Sequence, residues 1–193
     1  MIRRGFLGLI AALGIAGAAA AQDDPENILV IDVAGATNGT VEILLRPDVA
    51  PQHVERIKTL AREGAYDGVA FHRVIDGFMA QTGDVEFGSA EAYGEGRAGT
   101  GGSSYPDLPA EFSDLSFDTG VVGMARSQNP DSANSQFFIM FEPATHLDGQ
   151  YTVVGRVIAG QDVVDAIKRG EGGNGMVADA PDTMARVRLK SDL

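Results

Sequence analysis

The residues best suited to chemistry lie between Phe71 and Asp84, in the run FHRVIDGFMAQTGD. Arg73 stands between apolar Phe71 and Val74, and Phe78-Met79-Ala80-Gln81 follows a turn at Gly77. On a strand, alternate side chains face one way, so a guanidinium, an amide and large apolar groups share a small area. Ser135-Gln136-Phe137-Phe138-Ile139-Met140 repeats the theme of a polar residue beside aromatics, and His146-Leu147-Asp148-Gly149-Gln150-Tyr151 is a turn flanked by pocket-forming types. Arg, Gln, Phe, Met and Leu together make an apolar pocket with a few polar groups at its rim. The first run taken alone also fits a plain core with one surface charge.

Other chemistries lack their residues. Cys is absent, which excludes disulfides, thiolate metal sites and Cys nucleophiles. No GxSxG elbow and no HExxH pair occurs, and His53, His72 and His146 lack metal-ligand spacing, so no metal is expected. Gly94-Glu95-Gly96-Arg97-Ala98-Gly99 and Gly170-Glu171-Gly172-Gly173-Asn174-Gly175 both match GxGxxG. A dinucleotide site needs a strand before such glycines and a helix after them. The first match sits in a loop and the second follows a helix, so no cofactor is expected.

The elements that must carry the pocket residues are short. Asn27 to Val33 and Thr40 to Leu45 read as strands joined by the turn cluster Gly35 to Gly39. A helix follows, with Asp48 as the expected cap, Pro51 in its first turn, and Val54, Ile57, Leu60 and Ala61 as one apolar stripe ending at Gly64. His53 is expected on its surface. Val69 to Val74, Phe78 to Gln81, Phe112 to Met124, Gln136 to Met140, Tyr151 to Val157 and Met184 to Leu189 read as further strands. Gly83 to Pro109 reads as a loop around a functional rim, and Asp162 to Arg169 as a second helix with Val163, Val164 and Ile167 inward. Many short strands, two distant helices and no βαβ rhythm imply a mainly β fold, a closed antiparallel barrel capped by two α-helices.

The 193 residues allow one ordinary domain, and 25 glycines imply many tight turns. Fifteen Lys and Arg against 27 Asp and Glu give a net charge of −12, which argues against a broad nucleic-acid or anionic-membrane footprint. Arg3-Arg4, the apolar run Gly5 to Ala20 and the small residues Ala18 to Ala21 have the order of a secretory signal. Residues 1–21 are therefore expected to be a signal peptide and residues 22–193 the functional domain. Arg3-Arg4-Gly5-Phe6-Leu7 also resembles a twin-arginine signal, with Ile2 where Ser or Thr is usual.

At Phe71 to Ile75, Gly77 to Asp84, Gly99 to Gly102, Gly123 to Ala125, Ser135 to Ile139 and Leu147 to Gly149, the chain resembles the cyclophilin family of peptidyl-prolyl cis–trans isomerases. The likeness runs from Asn27 to Leu189. It implies a closed eight-stranded antiparallel β-barrel capped by two helices, and acceleration of X–Pro isomerisation in protein folding without a cofactor. It implies Arg73 as the catalytic residue and Gln81 as the group that binds the substrate backbone. Phe78, Met79, Phe138 and Leu147 would wall the proline pocket. Gly99, Ala125, Arg126 and Gln136 would line the groove beside it, with His146 and Tyr151 at the rim. His72 would either support Arg73 or pack inside the fold. His146 stands where many eukaryotic members carry Trp, which implies weak cyclosporin binding. Partners implied are proline-containing peptides and unfolded or newly exported proteins, met by a monomer in the periplasm. A peptide-binding or chaperone module with little turnover is the other reading of this resemblance. Intact Arg73, Phe78, Met79, Gln81 and Phe138 favour the enzyme.

Overall fold

A computed structural model describes residues 24–89, 92–93 and 96–193. The expected signal peptide, residues 1–21, lies outside the described residues, as do parts of the first glycine motif. The strands are β1 (Ile28–Ala34), β2 (Gly39–Leu45), β3 (Val69–Ala70), β4 (Arg73–Ile75), β5 (Met79–Thr82), β6 (Val121–Met124), β7 (Phe137–Met140), β8 (Val153–Ala159) and β9 (Thr183–Leu189). The helices are α1 (Pro51–Arg62) and α2 (Gln161–Ala166).

The strands form one sheet of nine, in the order β3-β9-β1-β2-β8-β6-β7-β5-β4. Its pairs are antiparallel. This corrects the expectation of eight strands closed into a barrel, because no ladder joins β3 to β4 at the two ends. The cause lies at Phe71-His72. The Phe71 N–H donates to the Asp182 carbonyl and the Val177 N–H to the His72 carbonyl, so this backbone is spent on the 177–182 segment. The expected single strand Val69 to Val74 is therefore two, and the ends of the curled sheet meet through the covalent chain.

β1 shows why the sheet needs cover on both faces. Leu29, Ile31 and Val33 join the main core with Ile43, Leu45, Val54, Ile57 and Leu60. Ile28 and Val30 point the other way and cluster with Leu44. A single residue of slip would exchange these sets. The expected strand from Phe112 is a strand only from Val121, as β6. Before it, the Phe117 N–H and the Ser116 hydroxyl donate to the Asp148 carboxylate, which competes with any ladder.

Pro51 lies in the first turn of α1, as expected, but the helix starts at Pro51 itself, two residues later than an Asp48 cap implies; Ala50 is its N-cap and supplies no side-chain bond. Asp48 instead accepts from Arg46. The Glu111 carboxylate, from an irregular segment, accepts the Gln52 and His53 backbone N–H groups at 3.1 Å each. It also meets His53 Nδ1 at 2.7 Å. His53 is fully buried, contrary to its expected surface position. A carboxylate here satisfies the open N–H groups and sits favourably against the helix dipole.

Candidate active site

The β4–β5 hairpin, turned at Gly77 with φ +67°, sets Arg73 opposite Gln81. Gln81 in turn faces Phe138 on β7, and Phe138 faces Gly123 on β6. One cross-strand row thus carries a guanidinium, an amide, an aromatic ring and a gap. The gap matters: a Cβ on Gly123 would lie 2.6 Å from both Phe117 Cε1 and Phe138 Cζ. The rings behind it are stacked, Phe117 on Phe138 at 5.7 Å, with Tyr151 edge-on to Phe138 at 5.8 Å.

Arg73, Phe78, Met79, Gln81, Ala125, Arg126, Phe138, Leu147 and Tyr151 line a single cavity of about 160 Å³. That is close to the volume of an engineered apolar cavity that takes up one benzene ring. A second, larger groove of about 510 Å³ shares Gln81, Ala125 and Arg126 with it and is also lined by Gly99 and Gln136. His146 lies outside both linings; it is exposed and stacks on Phe78, with centroids 6.0 Å apart.

The Arg73 guanidinium is fixed by uncharged partners. Nε donates to the Asn174 carbonyl at 3.0 Å and Nη1 to Gln81 Oε1 at 3.1 Å. Gln81 Nε2 then donates to Gln136 Oε1 at 2.9 Å, and Gln136 Nε2 to the Gly99 and Gly101 carbonyls at 3.1 and 2.8 Å. This relay fixes the amide orientations, since each donor has an acceptor. Burial pushes the Arg73 pKa below its ordinary value, with the nearby Tyr151 opposing. Arginine starts so high that it stays charged.

His72 lines neither cavity. It is buried, and a Cβ on Gly99 would come within 2.9 Å of its Cδ2, so its ring is the floor beneath the groove loop. Burial pushes its pKa down, Asp84 partly opposing. Asp84 was not singled out by its sequence context. It is buried and its Oδ2 accepts the Gly99 and Gly101 N–H groups at 2.7 and 3.0 Å, which fixes that loop. Asn174 was missed as well, because its contribution is a backbone carbonyl. The one sequence signal there, the glycine run 170–175, reads only as a mismatched dinucleotide motif.

The cavity has the size for one small ring and is edged by a fixed cation and a chain of amides, a shape and polarity that fit a cyclic apolar group carried on a polar backbone. Residues 30–189 match the family described as cyclophilin type peptidyl-prolyl cis-trans isomerase/CLD. A probable peptidyl-prolyl cis-trans isomerase of Brucella suis biovar 1 is 58% identical over 175 residues, covering 90% of this chain and 87% of its own. The crystal structure of cyclophilin AquaCyp293 from Hirschia baltica superposes with a TM-score of 0.71 at 28% identity, over 88% of this chain and 76% of its own. A Cryptosporidium parvum cyclophilin type isomerase, crystallised in the presence of the dipeptide Ala-Pro, shares the fold. Its TM-score is 0.69 at 22% identity, over 84% of this chain and 98% of its own. The chain belongs to the cyclophilin-type peptidyl-prolyl cis–trans isomerase family.

Proposed function

We propose that Arg73 carries the isomerisation by stabilising the twisted X–Pro amide. The reaction crosses a barrier of roughly 18–20 kcal/mol because amide resonance must be broken. It makes and cuts no bond, so it needs no nucleophile. In the twisted state the proline nitrogen loses conjugation and gains a lone pair. A guanidinium N–H aimed at that nitrogen is bound better by the twisted amide than by the planar one, and only such differential binding lowers the barrier. Phe78, Met79, Phe138 and Leu147 hold the pyrrolidine ring, while Gln81 anchors the substrate backbone and confines rotation to one bond. Ala125, Arg126, Gly99 and Gln136 support the peptide beside the ring, and Tyr151 closes the rim through Phe138. His146 acts on the ring only through Phe78, and His72 acts through the loop it supports.

The observation that carries this reading is the geometry of Arg73: half-buried at the pocket wall, held at Nε and Nη1, with Nη2 uncommitted in those bonds. A protease-coupled assay on an X–Pro peptide tests it. Arg73→Ala is expected to lose at least about a hundredfold in kcat/KM, within the range for removing one fixed transition-state donor, while remaining folded. Arg73→Lys is expected to lose most activity too, since an ammonium lacks the planar fork. Equal rates for native and Arg73→Ala protein remove Arg73 from the mechanism.

The substrates are proline-containing segments of unfolded and newly exported proteins, acted on by a monomer, with weak affinity for cyclosporin. The order of residues 1–21 supports export and action in the periplasm. The mass of the protein recovered from a periplasmic extract tests that placement: a chain beginning at Gln22 supports it, and full-length protein confined to the cytoplasm overturns it.

A further inference from the structure

The molecule is strongly acidic, yet the wall of its proline pocket carries Arg73 and Arg126 and no acidic residue among those described. Arg126 is held as Arg73 is, by groups that place it without neutralising it. Its Nε and Nη2 donate to the Gln150 carbonyl at 3.3 and 2.7 Å, and its Nη1 to the Ser127 carbonyl at 2.9 Å. Its guanidinium carbon lies 4.3 Å from the centre of the Tyr151 ring. Among the described residues neither arginine has a carboxylate within salt-bridge distance, a state they share with Arg56, Arg97, Arg156 and Arg186, whereas Arg46, Arg169 and Arg188 each have one and Arg62 has two. A guanidinium has more N–H groups than these bonds use, so both retain donors for a ligand. Arg126 also belongs to the larger groove, which meets the pocket at Gln81, Ala125 and Arg126. A peptide chain leaving the pocket by that groove passes it. The groove contains one described acid, Asp107, and its carboxylate already accepts from Asn134 Nδ2 at 2.9 Å.

We infer that Arg126 makes this site selective for prolines flanked by an acidic residue, Asp or Glu, whose carboxylate is received by the Arg126 guanidinium with Arg73 adding to the field. This rests on the isomerase reading and names its preferred substrate. The preference is electrostatic, so it weakens with salt as exposed charge pairs do. It also works against the overall charge of the protein, which repels acidic peptides at long range. Selection is therefore local, and it appears in the affinity of peptides already in the groove.

The test measures isomerisation by NMR exchange spectroscopy on blocked peptides that place Glu, Gln or Lys directly before or directly after proline. At low salt, the purified protein is expected to act on at least one of the two Glu peptides about fivefold better in kcat/KM than on its Gln counterpart, as a partly exposed ion pair allows, and least well on Lys. Arg126→Gln is expected to bring the Glu-to-Gln ratio close to one, and Arg126→Lys to keep part of it. Loosening of the Gln150 turn would lower all rates together and leave the ratio standing. Equal rates for Glu, Gln and Lys peptides with native protein overturn the inference and leave the isomerase reading intact. A preference that survives in Arg126→Gln overturns it also. Absence of any acceleration strikes the isomerase reading; peptide affinities from the shift changes in the same samples then decide the charge preference.

Discussion

At the scale of single residues, Glu111 shows how far a side chain's role can lie from its sequence neighbourhood. Nothing in Pro109-Ala110-Glu111-Phe112 marks a helix cap, because the capped helix starts at Pro51. The pocket residues were legible for the opposite reason: Arg73, Phe78, Met79 and Gln81 sit within one hairpin, and their types already describe a pocket. Burial of Glu111 alone would raise its pKa. The His53 side-chain bond and the His53 and Gln52 N–H groups outweigh it and hold the carboxyl below its ordinary value. A lowered folded-state pKa stabilises the fold above the unfolded value, about 4.3 for Glu, and that stability is lost as pH falls through the folded value. Glu111→Gln is therefore expected to cost about 1–3 kcal/mol at neutral pH, the range for breaking a charged hydrogen-bonded cap and leaving buried His53 without its partner. Urea unfolding of native and variant protein at pH 7 and in steps down to pH 3 checks it. The two stabilities should converge at the acid end; a gap that stays constant with pH assigns the cost to shape instead of charge.

At the scale of elements, the segment Gly170 to Val177 gains the role that its motif alone did not give it. It is a clip on the outer edge of β4. The Val74 N–H donates to the Gly175 carbonyl at 2.7 Å, the Gly170 N–H to the Val74 carbonyl at 2.9 Å, and the Glu171 N–H to the Met176 carbonyl at 3.0 Å. This pairing covers an edge that would otherwise be open, and it delivers the Asn174 carbonyl to Arg73 Nε. Gly175 makes it possible: its φ is +69°, and a Cβ there would run into Ile75 Cγ1 and lie 2.9 Å from the Val74 carbonyl oxygen. Gly172 has nearly the same φ, +68°, but its Cβ would meet nothing closer than 3.8 Å. Each Gly→Ala change carries the left-handed strain of about 1–2 kcal/mol, but only the first must move the clip. Gly175→Ala is expected to lose roughly tenfold in kcat/KM, in line with a small misplacement of a catalytic group, and Gly172→Ala to lose less than about twofold despite a comparable fall in thermal midpoint. Equal activities in the two variants would show that Arg73 does not depend on the clip. The sequence displayed the glycines but not their target, because β4 lies almost a hundred residues earlier and the bonds are all backbone.

At the scale of the whole molecule, strand identity was legible and strand order was not. The apolar run of β1, the strand pattern of β2 and the turn between them specify a hairpin locally, and the structure pairs Ile28 with Leu44 through Val33 with Gly39. The position of β9 depends on pairings no local pattern records: Leu29 with Leu189 on one side and Val69 with Met184 on the other. β9 is thus the strand that joins β3 to the rest of the sheet, and it supplies Met184, Val187 and Leu189 to the main core. Because these contacts join opposite ends of the chain, the loop-closure entropy is met late, as in other folds dominated by non-local pairing. A chain ending at Asp182 therefore exposes the β1 edge, removes three buried side chains and releases β3, leaving the Phe71–His72 link to the active-site hairpin tied only to the 177–182 segment. Each buried aliphatic side chain of this kind contributes about 1.5–3 kcal/mol, so their joint loss approaches the whole stability of an ordinary domain, about 5–15 kcal/mol. A chain ending at Leu189 loses instead the Lys190–Glu42 and Arg62–Asp192 ion pairs at the surface, worth at most about 1 kcal/mol apiece. The first truncation is expected to show no cooperative thermal transition and no isomerase activity, and the second a transition within a few degrees of native with activity retained. Near-UV circular dichroism during a thermal ramp distinguishes them. Cooperative melting of the chain that ends at Asp182 would mean that the β1–β2–β8 half of the sheet folds without its last strand.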